Sequence, residues 1–116
     1  DVEKMRRAAS YIVGEHDFTA FMATGGQAKT TVRTVYSLDI LSFGDEIHFE
    51  VTGNGFLYNM VRIIVGTLVK VGQGKIPPEQ VGEMIEKKER ALGGKTMPPQ
   101  GLYLKSVRYP EKYGKI

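Results

Sequence analysis

The longest hydrophobic pattern in the chain has a helical period and lies within residues 53–74. Apolar side chains that recur at intervals of three and four residues form one continuous stripe on an α-helix. The stripe consists of Leu57, Met60, Val61, Ile64, Val65, Leu68 and Val69. Glycines flank it on both sides, and glycine lets the backbone turn sharply. The pattern therefore predicts a central helix that is buried along one face.

Two runs with a period of two precede this helix. The first extends from Val32 to Phe43, and successive side chains of a strand point to opposite faces. The alternation predicts two faces, one with Tyr36, Leu38 and Ile40 and the other with Val35, Ser37 and Asp39. A Gly44-Asp45 turn follows, and the second run places apolar residues at alternate positions, Ile47, Phe49 and Val51. Two alternating runs joined by such a turn predict a β-hairpin.

The remaining segments complete a mixed pattern of helices and strands. An amphipathic helix opens the chain, with Asp1 as its N-cap and Gly14 as its stop. Residues 15–31 are rich in small polar residues and glycine, which predicts a loop. A short helix follows Pro77-Pro78, because proline is favoured in the first helical turn. A last strand is predicted over residues 102–109.

Composition limits the classes of protein to which the chain can belong. Its 116 residues suffice for one domain, so we predict a single α+β two-layer sandwich over residues 1–116, with a mainly antiparallel sheet packed on helices. The absence of Cys excludes disulfides and thiolate chemistry. No apolar run reaches membrane-spanning length and no signal peptide is evident; we predict a cytoplasmic protein without a membrane partner. The absence of an initial Met predicts a processed chain or a fragment.

The charged residues give weak signals by themselves. The two histidines, His16 and His48, have no second ligand at metal spacing, so we predict no metal site. Six basic residues, several of them near the glycine-rich segments, would suit contacts to a phosphate backbone; they are Lys29, Arg33, Arg62, Lys70, Arg90 and Lys95. Scattered Lys and Arg are also ordinary on a protein surface, so the net charge of +3 favours a nucleic acid only weakly.

Arg62 is the basic residue closest to the hydrophobic stripe. On a helical projection it lies on the flank that carries Tyr58, next to Gly66. Periodicity alone favours a solvated Arg on an exposed flank. The alternative is a guanidinium that packs beside the core and is oriented towards a carboxylate or a phosphate, for which Arg offers two parallel donors.

Four sequence blocks together resemble a known family. They are HDFTAF at 16–21, QAKTTVRTV at 27–35, GNGFLYNMVRIIVGTLVKVGQGK at 53–75 and KERALGGKTMPPQGLYLKSVRYP at 88–110. In order and spacing they are similar to the C-terminal domain of the tRNA pseudouridine synthase A family, the TruA family. The motifs FLxxMVRxxVG and GLYL carry most of the specificity. The resemblance spans nearly the whole chain and implies an RRM-like α+β domain.

The resemblance implies an isomerase that converts uridine to pseudouridine in the anticodon stem-loop of tRNA. Enzymes of this family break the C1′–N1 glycosidic bond, rotate the base and rejoin it through C5, without a cofactor or a metal. The family's catalytic Asp lies in a Gly-Arg-Thr-Asp segment of an N-terminal domain, and no such segment occurs here. The resemblance therefore implies the C-terminal domain of a two-domain enzyme, inactive alone. Its implied partners are tRNA, the N-terminal domain and, in the full-length enzyme, a second copy in a homodimer.

Matching positions imply roles for individual residues. Arg62 matches the active-site Arg of the MVR motif and is expected to pair with the catalytic Asp. Leu102 matches the apolar residue of GLYL that packs near the target base, and Tyr58 is expected in the same pocket. The expected RNA contacts are Lys29, Arg33, Arg90 and Lys95.

Two alternatives to an enzyme domain follow from the residues. One is a non-catalytic RNA-binding module. Such readers stack bases on aromatic residues of an open sheet face, and the outward positions predicted here lack an aromatic pair; they are Ser37, Asp39, His48 and Glu50. The other is a dimerisation module that uses an open face or edge of the sheet.

Overall fold

The computed structural model describes residues 1–22 and 30–97. Within these ranges the helices and strands follow the order α1 (Val2–Ala9), β1 (Gly14–Asp17), β2 (Val32–Phe43), β3 (Glu46–Gly53), α2 (Met60–Gly72) and α3 (Glu79–Lys87). Short 3₁₀ turns lie at Thr19–Phe21 and Arg90–Leu92. The strands form an antiparallel sheet in the order β1-β2-β3. The predicted α+β class is confirmed, whereas the strand predicted over residues 102–109 lies outside the described residues.

Helix α2 forms the centre of the hydrophobic core, as the sequence pattern predicts. Its buried residues are Met60, Ile63, Ile64, Val65, Gly66, Thr67, Leu68 and Val71. The buried surface is wider than one stripe because α1 packs on the helix and segment 93–97 also contacts it, with Gly94 against Gly66. The helix begins at Met60, so Leu57 precedes it although Leu57 is buried.

The β2–β3 hairpin is confirmed, but the predicted faces of β2 are wrong at its start. Val35 is 1% exposed and Tyr36 is 43% exposed, the reverse of the prediction. The cause is a β-bulge: Val35 pairs with Gly53 while Ser37 pairs with Thr52, so Tyr36 is an extra residue on β2. An inserted residue shifts the alternation of side chains between the two faces. Beyond the bulge the prediction is confirmed, and Leu38 is buried opposite Val51.

Strand β1 corrects the prediction of a continuous loop over residues 15–31. Gly14–Asp17 pairs in antiparallel register with the first residues of β2, His16 opposite Arg33. The strand has only four residues and no apolar alternation, so it is formed by backbone hydrogen bonds to β2 rather than by a pattern of its own. It leads into the 3₁₀ turn; Phe18, which precedes the turn, and Phe21, its last residue, are completely buried.

The ends of the outer helices follow from local capping. The Asp1 carboxylate accepts a hydrogen bond from the Lys4 backbone at 3.2 Å, which confirms the predicted N-cap of α1. Helix α1 ends at Ala9, earlier than the predicted stop at Gly14. Helix α3 begins directly after Pro77-Pro78, as predicted. Among the residues that the structure describes, no helix combines the length and apolar character needed to cross a membrane.

Candidate active site

Arg62 lies in the first turn of α2 and its side chain is partly buried. Its Nε donates a hydrogen bond to the carbonyl oxygen of Met97 at 2.6 Å, and its Nη1 donates to Oδ1 of Asn59 at 2.8 Å. The interpretation as a freely solvated Arg, which periodicity favours, is therefore wrong. The guanidinium is held beside the core by two acceptors that come from different parts of the chain.

Segment 93–97 brings the carbonyl of Met97 to Arg62 because it runs along the outer side of α2. The backbone N–H of Met97 donates to the carbonyl of Arg62 at 3.2 Å, and the N–H of Gly94 donates to Oγ1 of Thr67 at 3.0 Å. Gly66 permits this approach, since a Cβ at that position would lie 1.8 Å from the carbonyl oxygen of Lys95. The small residue next to Arg62 is thus a requirement of the packing.

The hydrogen bonds of Arg62 leave its charge available. A guanidinium has five N–H donors, and the two acceptors, an amide and a backbone carbonyl, are both neutral. In residues 1–22 and 30–97 no ion pair involves Arg62. Its other donors include one on Nη1 and two on Nη2, which can meet a carboxylate in the parallel, bidentate arrangement. The site suits an acid supplied from outside these residues.

Of the two residues predicted to line a base pocket, the structure describes Tyr58. Tyr58 lies just before α2 and is 59% exposed, so the residue is accessible to a ligand. Leu102 lies outside the described residues. The structure therefore places Tyr58 and Arg62 at the same end of α2 and leaves the predicted contribution of Leu102 untested.

Lys95 lines an open groove of about 480 Å³ beside α2. Lys70 and Lys75 also face this groove, and its other lining residues are Gly66, Val69, Gln73, Gly94 and Met97, so no acidic side chain belongs to the described lining. Arg62, Gly66 and Lys70 are spaced by four residues and lie on one face of the helix, about 6 Å apart along its axis. The cationic groove therefore begins about one helical turn from Arg62.

The other predicted RNA contacts are dispersed. Arg90 does not line the groove but donates from Nη2 to Oγ1 of Thr96 at 3.3 Å, which ties down the same segment. Arg33 lies on β2 and its Nη1 donates to the carbonyls of Thr30 and Val32 at 2.8 and 2.7 Å. Lys29 lies outside the described residues. Lys95 therefore lies close to the end of α2 that carries Arg62, whereas Arg33 lies on strand β2.

Sequence reasoning missed both acceptors of Arg62. Asn59 is three residues before Arg62 but lies outside α2 in a left-handed backbone conformation, so helical spacing does not identify it. Met97 is separated from Arg62 by 35 residues and contributes only its backbone. No side-chain pattern identifies such a contact.

Residues 8–110 match the family model that is described as tRNA pseudouridine synthase. The chain is 52% identical over 109 residues to a tRNA pseudouridine synthase A of a Thermoanaerobacter species, an alignment that covers 94% of this chain and 45% of the relative. It is 53% identical over 112 residues to the protein of the same name from a Geobacter species, with 96% and 45% covered. Over 109 residues it is 48% identical to tRNA pseudouridine synthase A 1 of Bacillus cereus, with 94% and 44% covered. The chain spans about half the length of the curated relatives it matches.

Proposed function

The chain belongs to the tRNA pseudouridine synthase family, and we propose that it is one domain of an enzyme that isomerises uridine to pseudouridine in tRNA. The relatives carry that name and are about twice as long as this chain. Because its motifs resemble those of the family's C-terminal domain, we assign residues 1–116 to that domain. The catalytic Asp and the rest of the active site belong to an N-terminal domain, and the substrate uridines lie in the anticodon stem-loop.

Arg62 is the residue on which this proposal rests. It is oriented by neutral acceptors and keeps its charge for a further partner. An opposite charge within about 4–6 Å lowers the pKa of a carboxyl group. Arg62 would hold the catalytic Asp of the other domain in its ionised form and aim it by bidentate hydrogen bonding. Without the other domain this chain is inactive.

The remaining predicted residues would bind the RNA. A uridine must leave the base stack before its glycosidic bond can be reached, which requires an apolar pocket and contacts to the neighbouring phosphates. Tyr58 and Leu102 are proposed for the pocket, with the role of Leu102 resting on the family resemblance alone. The groove at Lys95 supports phosphate contacts near Arg62, because it gathers positive charge without an acidic lining residue among those described. Arg33 and Arg90 are assigned to more peripheral contacts, and Lys29 is proposed as an RNA contact on the family resemblance alone.

The reaction itself requires no oxidant, reductant or cofactor. The N1–C1′ bond breaks, the base rotates, and C5 bonds to C1′. The proton on C5 is then lost and N1 gains one, so atoms and charge balance. The contribution of this chain to the reaction is to hold the guanidinium of Arg62 opposite the catalytic Asp.

Replacement of Arg62 tests the proposal in the full-length enzyme. We expect Arg62→Ala to lower kcat roughly 10²- to 10³-fold, as for other preorganised electrostatic groups, with tRNA affinity changed little. Pseudouridine formation under single-turnover conditions measures the effect. The matched control is Arg7→Ala, because Arg7 is exposed on α1 and pairs with Glu79 at 3.3 Å. Near-normal rates for Arg62→Ala would refute the assignment.

The homodimer implied by the family remains a prediction. Phe43 and Ile47 are exposed apolar side chains near the tip of the hairpin, and a second copy could cover them. Light scattering of the full-length enzyme, compared with a Phe43→Ser variant, measures the mass directly. A monomer at high concentration would contradict the prediction.

A further inference from the structure

Asn59 has an unusual backbone conformation for the residue that precedes a helix. Its φ and ψ are 60° and 13°, in the left-handed region, where Asn is the most tolerated residue after Gly. An Asn at an N-cap normally adopts an extended backbone and accepts a hydrogen bond from the first helical turn. Asn59 makes no such capping bond with its side chain. Its Oδ1 instead accepts from Nη1 of Arg62 at 2.8 Å.

We infer that Asn59 is a positioning residue for Arg62, an inference that rests on the proposed function. The amide of Asn59 and the carbonyl of Met97 bond two different nitrogens of one planar group. Two bonds to a rigid plane fix its orientation as well as its location, whereas one bond leaves it free to rotate. The side chain of Asn59 therefore bonds the guanidinium of Arg62 and does not cap the start of α2.

The neutrality of Asn59 is part of this role. An amide oxygen orients the guanidinium without compensating its charge, so the attraction to an acid from the other domain is retained. A carboxylate at the same position would orient Arg62 equally well but would compete for it. Asn59→Asp should therefore impair the reaction more than Asn59→Gly. A role limited to starting the helix predicts the reverse order, because Asp is a better N-cap than Gly and suits the positive end of the helix dipole.

The first experiment compares these variants in the full-length enzyme. Asn59→Gly keeps the left-handed backbone accessible and removes only the amide. We expect kcat to fall about 10-fold, the size of a hydrogen bond to a charged group, with unchanged tRNA affinity and thermal midpoint. The kcat of Asn59→Asp should fall further, with the same tRNA affinity. Unchanged kcat in both variants, or a greater loss in Asn59→Gly than in Asn59→Asp, would overturn the inference.

A double-mutant cycle separates positioning from general stability. If Asn59 acts through Arg62, adding Asn59→Gly to Arg62→Ala causes no further loss of kcat. Additive losses in the cycle would overturn the inference.

The matched control is Asn54→Gly. Asn54 lies in the same connection, but its Oδ1 accepts from the Thr34 backbone at 2.8 Å and does not contact Arg62. Asn54→Gly should lower the thermal midpoint. Any loss of kcat that it causes should add to the loss caused by Arg62→Ala.

The outcomes distinguish the two levels of the proposal. Normal pseudouridine formation by Arg62→Ala would refute the proposed role of Arg62 and the inference together, whereas no pseudouridine formation by the unmodified full-length enzyme would refute the proposed function. Loss of activity in Arg62→Ala with normal activity in both Asn59 variants would refute the inference alone. Circular dichroism of each variant establishes that it is folded before its kinetics are compared.

Discussion

The start of α2 and the sheet face opposite the core carry different charged side chains. At the start of α2, Arg62 is oriented by neutral acceptors and lies one turn from a groove lined by Lys70, Lys75 and Lys95. On the sheet face opposite the core, the β2–β3 register places Asp39 directly across from Glu50. Like charges directly opposite each other on a sheet are unfavourable for folding. The first region concentrates positive charge, and the second contains one cross-strand pair of acidic residues.

This difference bears on which surface meets RNA. A reader that uses its open sheet face needs aromatic residues on which bases stack. The cross-strand pairs on that face include Ser37 with Thr52 and Asp39 with Glu50, neither of which contains an aromatic residue, and the bulge leaves Tyr36 beside them as an exposed aromatic residue. The positive groove supports RNA contacts on the side that carries Arg62 and the lysines.

The largest effect is expected when the packing behind Arg62 is broken. A methyl group at Gly66 would lie 1.8 Å from the carbonyl oxygen of Lys95. Because backbone lies on both sides of the contact, Gly66→Ala must displace segment 93–97 or the helix. We expect a destabilisation of about 3 kcal/mol, at the upper end for overpacking, and a decrease of kcat in the full-length enzyme because Arg62 no longer bonds the Met97 carbonyl.

Gly72→Ala is the matched control for this prediction. Gly72 is also in α2, but its added methyl group would meet the flexible side chain of Met5, at 2.9 Å. Such a side chain can move aside, and alanine favours a helix over glycine by about 1 kcal/mol. Thermal midpoints and kcat of the two full-length variants should therefore differ widely. Equal behaviour would show that segment 93–97 does not depend on Gly66.

An intermediate effect is expected when the charge of the groove is removed. In the proposed enzyme, replacing Lys70, Lys75 and Lys95 by Gln should weaken tRNA binding several-fold at low salt. It should also reduce the slope of log affinity against log salt concentration by about 0.7–0.9 for each phosphate that the protein no longer neutralises. Asp39→Asn on the opposite face should leave the slope unchanged. A slope that responds to Asp39 and not to the lysines would reverse the comparison.

The fold was predictable wherever one surface decides the side-chain pattern. The hairpin alternates clearly beyond the bulge because one of its faces is covered, and the central helix was predicted from its apolar stripe although segment 93–97 covers a further part of it. The start of β2 was assigned wrongly because the bulge at Tyr36 interrupts a period that otherwise continues. Strand β1 was missed because its four residues are stabilised by β2 and carry no period themselves.

The site was predictable only in its central residue. Arg62 could be identified from the family resemblance, whereas its two acceptors could not. The Asn59 contact requires a left-handed backbone that composition does not specify. The Met97 contact joins backbone to side chain across 35 residues, so it exists only after the chain has folded around Gly66. The predicted roles of Leu102 and Lys29 concern residues outside those described.

The smallest effect is expected at Asp17, a carboxylate of β1 that accepts hydrogen bonds from two nearby threonines and pairs with Lys88 at the end of α3. Hydrogen bonds from the Thr19 and Thr31 hydroxyls, both at 2.6 Å, stabilise its ionised form. They lower the pKa of Asp17 from its ordinary value of 3.8 to about 2, and Lys88 adds a smaller effect. The folded pKa lies below the unfolded one, so the stabilisation is present above about pH 4 and is lost as the pH falls through about 2.

We therefore expect Asp17→Asn to lower the stability of the full-length enzyme at pH 7 by at most about 1 kcal/mol, since the side chain is 34% exposed and solvent screens its interactions. The difference from the unmodified enzyme should shrink between about pH 4 and 2. Thermal midpoints across this range measure it, with the exposed turn residue Asp45 replaced by Asn as the matched control. A difference that persists at pH 2 would mean that the hydrogen bonds to Asp17 do not depend on its charge. In that case the hydrogen bonds of Asp17 would stabilise the fold without its negative charge, whereas the proposed role of Arg62 depends on its charge.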